Sequence, residues 1–420
     1  MKFKLVITFF ILLFSISNDS IKHLRSNEKI ANLSREIFDE LIAIRNDLHD
    51  HPELAGKEKR TAKIVEDYLL NLGLEVKTGI GGYGVVGILN GNKKGKKIAW
   101  RADMDAALHV FDNKLNHKPQ VAHICGHDVH TTIALGMANV LSKCKADIQG
   151  TVYFIFQPAE ESFEGAKSML EDGLFEEIQT DEIFGLHVFP TEIGSISSKP
   201  NELFAYQRRI KLTFENTIEQ DAFSDFFQKI LEGLVRHKTN TEPWSLDFLT
   251  DPQNGLSNPN TIYSDYFILG STIATRYEKN TTSFECTYYE TDAERLDRIT
   301  DTVINSEFGE FYINTSFTAE RPTVMNDPKL TSESISLLKG LHGKENVNLF
   351  YGQMPYSNED FIYYQNKKPG VMFLLGASNH EKGIYALPHT SEFEVDEEVI
   401  KIGVYYFSTF LAEKINTAKS

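Results

Sequence analysis

The chain has 420 residues, of which 41% are hydrophobic and 24% are charged, the balance of an ordinary globular protein. This length exceeds what one hydrophobic core usually serves, so we expect two domains. The formal net charge of −16 argues against a nucleic-acid-binding protein, which needs a basic face to neutralise phosphates. Three cysteines form an odd and sparse set, which indicates that disulfides do not organise the fold and leaves room for a thiolate metal ligand.

The amino terminus has the pattern of an export signal. Two lysines stand in the first four residues, and an apolar run from Leu5 to Ile16 follows. About a dozen apolar residues are too few for a membrane span, which needs roughly 20. Ser15 and Ser17 are small residues of the kind that a signal peptidase recognises. We therefore predict a signal peptide at 1–17 and a secreted or periplasmic protein without membrane contact after its removal; an uncleaved membrane anchor is the alternative.

The part of the chain up to residue 188 alternates between helical and strand-like apolar spacing. Helices are predicted where apolar residues recur every three or four positions, at Ser34–His49, Glu58–Leu72 and Thr131–Ser142. Strands are predicted at the short apolar runs Val85–Leu89, Ile98–Ala102, Val152–Phe156 and Ile183–Val188. Nearly continuous apolar strands that alternate with helices favour an α/β layer, a central sheet with helices on both faces.

From about Ser198 the pattern changes to β-α-β-β-α-β. The predicted elements, in this order, are Phe204–Phe214, Ala222–Val235, Tyr266–Tyr277, Thr282–Tyr289, Ala293–Ile304 and Phe311–Phe317. This order is typical of ferredoxin-like domains. After Pro322 the α/β pattern returns, with a strand at Met372–Leu375 and a helix at Glu397–Glu413. We predict one discontinuous domain, 30–197 and 322–420, into which a smaller domain, 198–321, is inserted.

The strongest local signal is the string His123–His130, which directly precedes a predicted helix. It holds three histidines, one cysteine and one aspartate within eight residues. Thiolate and imidazole ligands suit borderline metals such as zinc, cobalt, nickel or manganese. A single histidine of this kind is more often a hydrogen-bonded core residue, but the cluster as a whole favours a metal site.

A pair of adjacent carboxylates, Glu160 and Glu161, follows the predicted strand Val152–Phe156. Neighbouring side chains at a strand end point in different directions, so one can bind a metal while the other moves a proton. Metal-assisted hydrolysis needs this division between a Lewis acid that acts on water and a base that accepts its proton. Such pairs are also common on solvated surfaces, so the pair indicates a catalytic site only together with the metal-type cluster His123–His130.

Other candidate ligands stand at or near predicted strand ends. His187 ends the strand Ile183–Val188, and His389 lies in a loop near the carboxyl terminus. Asp103 and Asp105 follow the strand Ile98–Ala102. Open α/β sheets build their sites at the carboxyl ends of strands. Taken singly, each of these residues is compatible with a purely structural role, but together they supply enough ligands for two metal ions.

Together these strings resemble the aminoacylase/carboxypeptidase superfamily of dinuclear-metal peptidases, in particular its branch of hippurate hydrolases and indole-acetyl-amino-acid hydrolases. The matching strings occur in the family's order and cover about 45 to 197 and 355 to 400. They are Arg45–His49, Pro52–Leu54, Arg101–Asp105, Cys125–His130, Phe156–Glu161, Gly165–Ala166, Gly185–His187, Glu359–Phe361 and Leu387–Thr390.

The resemblance implies roles for individual residues. Two divalent ions (zinc, manganese, cobalt or nickel) would be held by Cys125, His127, Glu161, His187 and His389. Cys125 would bridge the two ions, and Glu160 would be the general base and proton shuttle. Four further residues would orient these groups without touching the ions: Asp103, Asp105, His130 and Glu359. The inserted domain would form a lid over the site and the contact of a homodimer.

The implied function is enzymatic, a metal-dependent amidohydrolase. It would hydrolyse the amide bond of N-acyl amino acids or small peptides through a water that the metals and Glu160 activate. Small molecules of this class are therefore the expected partners, and nucleic acid is not.

The lid departs from the family pattern. Members of this branch carry a glycine-rich loop with a histidine after the first lid strand, whereas Phe214–Gln220 has neither residue type. His237 is the single histidine between 198 and 322. The asparagine and arginine of the later lid strands are also missing, with Tyr288 or Tyr289 near the place of the arginine. A second hypothesis follows, an exported metal-binding protein with weak or no catalysis whose altered lid binds a ligand or partner. Zinc storage is disfavoured because the candidate ligands are scattered along the chain.

Overall fold

The computed structural model describes residues 18–109, 120–215, 220–236 and 245–416. The predicted signal peptide, His237 and residues 216–219 of the altered lid loop lie outside these ranges. The helices of the described residues, in chain order, are α1 (Asn18–Glu36), α2 (Phe38–Asp50), α3 (Lys59–Asn71), α4 (His127–Lys143), α5 (Gly165–Glu171), α6 (Leu174–Glu177), α7 (Gln220–Leu234), α8 (Leu246–Thr250), α9 (Arg298–Ile304), α10 (Pro328–His342), α11 (Ile362–Gln365) and α12 (Glu398–Asn416). Among these residues no helix combines the length and apolar character that crossing a membrane requires.

The strands of the same residues form two main sheets and two short pairs. In chain order they are β1 (Glu75–Ile80), β2 (Gly84–Asn90), β3 (Lys93–Asp103), β4 (Ala107–His109), β5 (Gln120–Ala122), β6 (Gln149–Gln157), β7 (Glu182–Glu192), β8 (Ile196–Ser198), β9 (Asn201–Glu202), β10 (Tyr206–Glu215), β11 (Phe267–Tyr277), β12 (Thr281–Glu290), β13 (Tyr312–Arg321), β14 (Met325–Asn326), β15 (Val347–Leu349) and β16 (Gly370–Ser378).

The larger sheet has eight strands in the order β1-β2-β6-β3-β7-β16-β8-β15. Its four central strands, β6, β3, β7 and β16, run parallel to one another. The strands that flank them, β2 and β8, run antiparallel to their neighbours β6 and β16. The predicted fold class, α/β with a central mixed sheet flanked by helices, is therefore confirmed.

Both faces of the larger sheet are buried, which explains its nearly continuous apolar runs. Along β6, Val152, Phe154 and Phe156 enter one apolar cluster, while Tyr153 and Ile155 enter another on the opposite face. The first cluster is covered by α1, α2, α3, α4, α10 and α12. The second is covered by α5, α6 and residues of α11. Successive side chains of a strand point to opposite faces, so a strand between two layers of helices needs apolar residues at every position.

The smaller sheet is antiparallel, with the order β11-β12-β10-β13. The elements β10, α7, β11, β12, α9 and β13 follow one another as predicted, with the short α8 between α7 and β11. Alternate residues of β10, Ile210, Leu212 and Phe214, pack with Phe227 of α7 and Val303 of α9 into a third apolar cluster. One face of the smaller sheet is thus covered by its own two helices.

The predicted domain boundaries remain a prediction. The third cluster lies wholly between Ile210 and Phe317, as an inserted domain requires. However, Leu249, Tyr263 and Tyr289, which also fall within 198–321, belong to the second cluster of the larger sheet. Part of the predicted insert therefore packs onto the larger unit.

Two predicted helices differ from the observed ones. The predicted helix Ser34–His49 is part of a longer unit, in which α1 and α2 meet at Ile37. Backbone hydrogen bonds from Ile37 to Leu33 and from Leu41 to Ile37 keep helical spacing across the junction, so one apolar period spans both helices. The predicted helix Ala293–Ile304 is a 3₁₀ turn over Ala293–Arg295 followed by α9.

Sequence reasoning missed α10, although its start has a recognisable signal. The Asp327 side chain accepts a hydrogen bond from the Leu330 backbone amide at 2.7 Å, and Pro328 occupies the first helical position. An aspartate cap followed by proline is a favoured helix start.

Replacing Phe227 tests the independence of the third cluster. The ring is 1% exposed and stacks on Phe284 with a centroid distance of 4.0 Å. We expect Phe227→Ala to destabilise the smaller sheet by about 3–5 kcal/mol because it leaves a large cavity. Amide hydrogen exchange should accelerate in β10 and β12 while β6 stays protected. Phe226→Ala, a change to a partly buried neighbour, is the control with a smaller expected effect. Equal acceleration in both sheets would contradict an independent core.

Candidate metal centre

The predicted site residues meet at the carboxyl ends of the central parallel strands. Asp103 is the last residue of β3, and Glu160 and Glu161 follow β6 by three and four residues. His187 lies within the neighbouring β7. Parallel strands bring their carboxyl ends to one edge of the sheet, so residues far apart in the chain become neighbours here.

A glycine turn places Cys125 and His127 at this edge. Gly126 precedes α4 with a φ of +92°, a left-handed conformation that favours glycine. A Cβ atom at this position would lie 2.4 Å from Cγ2 of Val188, so a larger residue does not fit without a shift. The turn lets Cys125 and His127 contribute to the same group of side chains.

The five predicted metal ligands converge in two overlapping groups. In the first, the ligand atoms of Cys125, His127 and His187 all lie within 4.8 Å of one another. In the second, the same holds for Cys125, Glu161 and His389. The Cys125 Sγ is 3.2 Å from the His187 Nε2, and the His389 Nε2 is 3.6 Å from a Glu161 oxygen. Because Cys125 belongs to both groups, the arrangement can accommodate two ions that share the sulfur.

Hydrogen bonds aim the two buried imidazoles of the first group. His187 Nδ1 donates to the Val188 carbonyl at 2.7 Å, which turns Nε2 towards Cys125. Burial, together with the neighbouring His130, lowers the pKa of His187 well below its usual range, so the ring is neutral and offers a lone pair. His127 Nδ1 lies 3.3 Å from an Asp105 oxygen, and its Nε2 is buried without a hydrogen-bond partner among the described residues. Such a contact behind the ring is the usual way of orienting an imidazole ligand.

Two carboxylates fix the loop that carries the glutamate pair. The oxygens of Asp105 accept the backbone amides of Glu160 and Glu161 at 3.1 and 2.9 Å. Glu58 accepts the backbone amide of Ala159 at 2.8 Å. Ala159 itself has a φ of +55°, a left-handed conformation that costs energy in a residue other than glycine. Asp105 and Glu58 thus hold the loop in one strained conformation from two sides. The sequence analysis had not included Glu58 among the candidate site residues.

Asp103, His127 and His130 also bring ligand atoms within 4.8 Å of one another, but His130 and Asp103 are engaged by hydrogen bonds within the protein. His130 Nδ1 is 2.7 Å from an Asp103 oxygen, and its Nε2 accepts the backbone amide of Val188 at 2.9 Å. Both ring nitrogens are therefore engaged. The second oxygen of Asp103 accepts a hydrogen bond from Arg101 at 2.6 Å.

Arg101 is fully buried and stands at the centre of an acidic network. Its guanidinium donates to Glu359 at 2.8 Å and to Asp360 at 2.9 Å, in addition to Asp103. The Gln157 side chain accepts from Arg101 and donates to Asp360, which joins the end of β6 to the same network. Asp360 was missed in the candidate site, although it adjoins Glu359 in a recognised string. Adjacent carboxylates look alike in a sequence, and here both contact one buried cation.

Acidic groups crowd around the ligand groups, and burial raises the pKa of several of them. Glu160 is 5% exposed, and burial together with Glu359 and Asp360 raises its pKa well above its usual range. Burial raises the pKa of Glu161 to about 7 and that of the Cys125 thiol well above its usual range. Burial by itself would lower the pKa of His127. The neighbouring acidic groups, Asp103 and Cys125 first among them, have the larger combined effect and raise this pKa.

The donor set fits a divalent metal. Buried carboxylates and a thiol this close together favour a cation that allows them to ionise. The Nε2 of His127 and one oxygen of Glu161 are both buried without a hydrogen-bond partner in the described part of the chain. One thiol, three imidazoles and a carboxylate are ligands that suit zinc, cobalt, nickel or manganese.

A cavity of about 480 Å³ opens beside these groups. Four predicted ligands and Glu160 contribute to its lining: Cys125, Glu161, His187 and His389. His389 is half-exposed, has a φ of +59°, and is tied to the Ile124 carbonyl by its backbone amide at 2.8 Å. Much of the remaining wall is apolar or aromatic: Phe163, Val188, Phe189, Pro190, Phe204, Leu246, Leu249, Tyr289, Met354, Pro355, Tyr356, Leu374, Leu387 and Pro388. The cavity has the volume and the mixed lining of a small-molecule site.

The two tyrosines that the sequence left as alternatives lie on opposite faces of the smaller sheet. Tyr289 lines the cavity. Tyr288 is buried in the third apolar cluster, and its hydroxyl donates to the Leu296 carbonyl at 2.5 Å. Tyr289 is therefore the one that can contact a bound molecule.

Besides His130, two members of the His123–His130 string stay outside the two ligand groups. Asp128 is buried; it forms an ion pair with Arg45, whose Nε lies 3.0 Å away, and it lies 2.8 Å from the His49 Nδ1. These contacts hold the start of α4 against α2. His123 is buried and its ring lies 6.4 Å from that of His49; burial lowers its pKa to about 4.

Thiol, imidazole and carboxylate groups gathered at the edge of a mixed α/β sheet form a candidate site for divalent metal ions. Residues 99–413 match the peptidase family M20/M25/M40. The chain belongs to this family, whose members hydrolyse amide bonds. The predicted resemblance and the enzyme class are confirmed.

Named relatives span nearly the whole chain. Thermostable carboxypeptidase 1 of Saccharolobus solfataricus is 31% identical over 396 residues, which cover 90% of this chain and 95% of that protein. IAA-amino acid hydrolase ILR1-like 5 of Arabidopsis thaliana is 29% identical over 406 residues, covering 93% and 90%. The solved structure of the Bacillus subtilis YXEP protein, described as a dinuclear metal binding peptidase of the M20 family, has a TM-score of 0.70. It is 24% identical and covers 91% of this chain and 99% of that one, which shows the shared fold.

Glu58 gives the loop a measurable pH dependence. Burial raises the pKa of Glu58 from 4.5 to about 7, so at a pH between these two values folding is accompanied by proton uptake at this carboxylate. Protonated Glu58 therefore stabilises the fold below pH 4.5, and this stabilisation is lost as the pH rises through about 7. Its size is at most ~3 kcal/mol. We expect Glu58→Gln to reduce the difference between the unfolding free energies at pH 5 and pH 8, which urea denaturation measures. The exposed Glu171→Gln is the control, and an unchanged difference in the Glu58 variant would contradict the expectation.

Proposed function

We propose that the protein is a metal-dependent amidohydrolase that cleaves the amide bond of N-acyl amino acids or small peptides. The observation that carries this proposal is the position of Glu160, buried beside both ligand groups on a loop whose backbone Asp105 fixes. The names of the relatives, a carboxypeptidase and an amino acid hydrolase, support an amide next to an amino acid as the substrate.

Five residues would hold two divalent ions: Cys125, His127, Glu161, His187 and His389. Cys125 would be shared, because its sulfur belongs to both groups. The description of the Bacillus subtilis protein as dinuclear supports the number of ions, and the donor set supports zinc, manganese, cobalt or nickel. When bound, such ions supply Lewis-acid chemistry that lowers the pKa of water and polarises a carbonyl.

Glu160 would move the proton. One of its oxygens lies 3.8 Å from the His127 Nε2, so the carboxylate reaches the place where the ligand groups meet. Burial, together with Glu359 and Asp360, raises the pKa of Glu160. A proton carrier in this reaction first accepts a proton from water and then donates it to the leaving nitrogen. Asp103, Asp105, His130 and Glu359 would orient these groups, since each is fixed by the hydrogen bonds described above.

The alternative, an exported metal-binding protein with weak or no catalysis, rests on the altered lid loop. Membership of a hydrolase family and the buried Glu160 favour catalysis, because a protein that only binds metal has no need of a proton carrier. The two readings differ in whether the metal-loaded protein turns over N-acyl amino acids.

Two substitutions in the glutamate pair test the proposed division of labour. Glu161→Ala should lower the metal content, because it removes a ligand. Glu160→Gln should leave both ions bound and lower kcat by about 10²–10⁴, because it removes the proton carrier. Elemental mass spectrometry measures the metal content of each variant. Turnover is measured on a panel of N-acyl amino acids and dipeptides.

Glu164→Gln is the matched control, since this glutamate lies on the same loop with an exposed side chain. Full activity in Glu160→Gln would refute the mechanism. Metal-loaded wild-type protein that turns over none of the panel would favour the alternative.

We further propose that the protein is exported and that the lid forms a homodimer contact. The exported protein should lack residues 1–17 and begin near Asn18, which intact-mass spectrometry measures directly. Recovery of the full-length chain from the cytoplasm would contradict the export signal, and a monomeric mass in sedimentation would contradict the dimer.

A further inference from the structure

Two short linkers flank the smaller sheet in the chain. The entry linker, Leu203–Ala205, precedes β10, and the exit linker, Pro322–Val324, follows β13. The Thr323 hydroxyl donates to the Phe204 carbonyl at 2.6 Å and accepts the Phe204 backbone amide at 3.0 Å. The two linkers are therefore held side by side where the smaller sheet begins and ends.

A third segment, Met354–Asn358 of the larger unit, lies against both linkers, and we call it the bridging segment. The Ala205 backbone amide donates to the Met354 carbonyl at 3.0 Å. The Asn358 side-chain amide donates to the Ala205 carbonyl at 3.0 Å and to the Pro322 carbonyl at 3.3 Å. Asn358 thus ties both linkers to the larger unit through one nitrogen atom.

The two contacts of Asn358 also fix the orientation of its amide. Carbonyl oxygens only accept hydrogen bonds, so the atom that faces Ala205 and Pro322 is the nitrogen. The Asn358 Oδ1 is buried and has no hydrogen-bond partner among the described residues. An unpaired buried acceptor lowers stability. The asparagine therefore gives up one hydrogen bond at a place where its amide holds two linkers.

The bridging segment is also part of the cavity wall. All five of its residues line the cavity beside the candidate metal centre. Tyr356, in the middle of the segment, has a left-handed φ of +62°, and its ring centroid lies 5.1 Å from that of Tyr289 on β12. A strained backbone of this kind persists where its surroundings determine it. The bridging segment therefore contacts the smaller sheet inside the cavity as well as at the linkers.

The carboxyl end of the bridging segment leads directly into the buried acidic network. Glu359 and Asp360 follow Asn358 in the chain, and both pair with the buried guanidinium of Arg101. Arg101 lies on β3, whose last residue, Asp103, is part of the candidate site. Asn358 is thus anchored to the larger unit on one side and bound to both linkers on the other.

We propose that Asn358 is a positioning residue that fixes the smaller sheet, and with it part of the cavity wall, relative to the candidate metal centre. This inference rests on the proposed function, to which it adds one residue. Asn358 acts through the side chains of β10, β12 and β13 that line the cavity. The candidate metal ligands all come from the larger unit, so a displaced wall weakens substrate binding and leaves the metal ligands in place.

Steady-state kinetics of the metal-loaded full chain tests the inference. In Asn358→Asp an oxygen replaces the donating nitrogen and faces two carbonyl oxygens, and in Asn358→Ala the amide is removed. We expect both changes to raise KM on N-acyl amino acids about 10-fold and to leave kcat within about twofold, because binding common to substrate and transition state is lost. Asn366→Asp is the matched control, a change to an exposed asparagine of the larger unit outside the cavity.

Amide hydrogen exchange gives a second readout that does not depend on turnover. Peptides that cover the two linkers and the bridging segment should exchange faster in both Asn358 variants, while β6 and β10 keep their protection. The metal content of the variants should equal that of the wild type. A merely structural role would have another signature: fewer folded molecules would lower kcat at an unchanged KM, and β6 would exchange faster.

That structural signature would overturn the inference, as would an unchanged KM in an active variant or unchanged exchange at the linkers. The proposed function fails separately. If the wild type hydrolyses none of the N-acyl amino acids while the linkers of the variants exchange faster, the amidohydrolase is refuted and the role of Asn358 in holding the linkers is kept. Hydrolysis by the wild type together with unchanged exchange and KM in the variants would do the reverse.

Discussion

Buried negative charge is the constraint around which the larger sheet is built at its functional edge. Asp103, Glu359 and Asp360 are all buried, and each contacts the fully buried guanidinium of Arg101. Removing such charges from water costs several kcal/mol per ion, and only close pairing with further hydrogen bonds offsets it. Because Arg101 lies on β3, in the middle of the sheet, this pairing fixes the segment that holds Glu359 and Asp360 beside the loop of Glu160. The excess of carboxylates over cations is also what makes the site receptive to a divalent metal.

The loops around the cavity carry backbone strain that their surroundings hold in place. Ala159, Phe163 and His389 all have left-handed backbone conformations, and all three belong to the loops around the cavity. Conformations of this kind cost of order 1–3 kcal/mol each and persist where neighbouring contacts determine them. Here those contacts are identifiable: Glu58 binds the Ala159 amide, and the Ile124 carbonyl binds the His389 amide. The loops are therefore positioned before any ligand arrives, which a site for proton transfer requires.

The two sheets contribute different parts of the site. Every candidate metal ligand comes from the larger unit, while Gln207, Tyr289 and Arg321 come from the smaller one. The smaller sheet can present these side chains to the cavity because its own helices cover the opposite face, where Phe227 and its neighbours form a separate core. Side chains on paired strands are held more rigidly than side chains on a loop. The cavity wall therefore includes side chains of β10, β12 and β13.

Local patterns in the sequence determined much of this protein. Apolar periods predicted most strands and helices, since a strand between two helical layers must be apolar at every position. Contiguous strings indicated Cys125, His127 and the glutamate pair as candidates, because site residues that share one turn or loop are also neighbours in the chain. What the tertiary structure decided depends on contacts without a local signature. Arg101 and Glu359 are 258 residues apart, so their pairing could not be read from spacing. Strand register alone places Arg321 beside Gln207, and the alternation of faces alone separates Tyr289 from Tyr288. A side chain's type limits what chemistry it can perform, but the packing of distant segments decides which charge or cavity it meets.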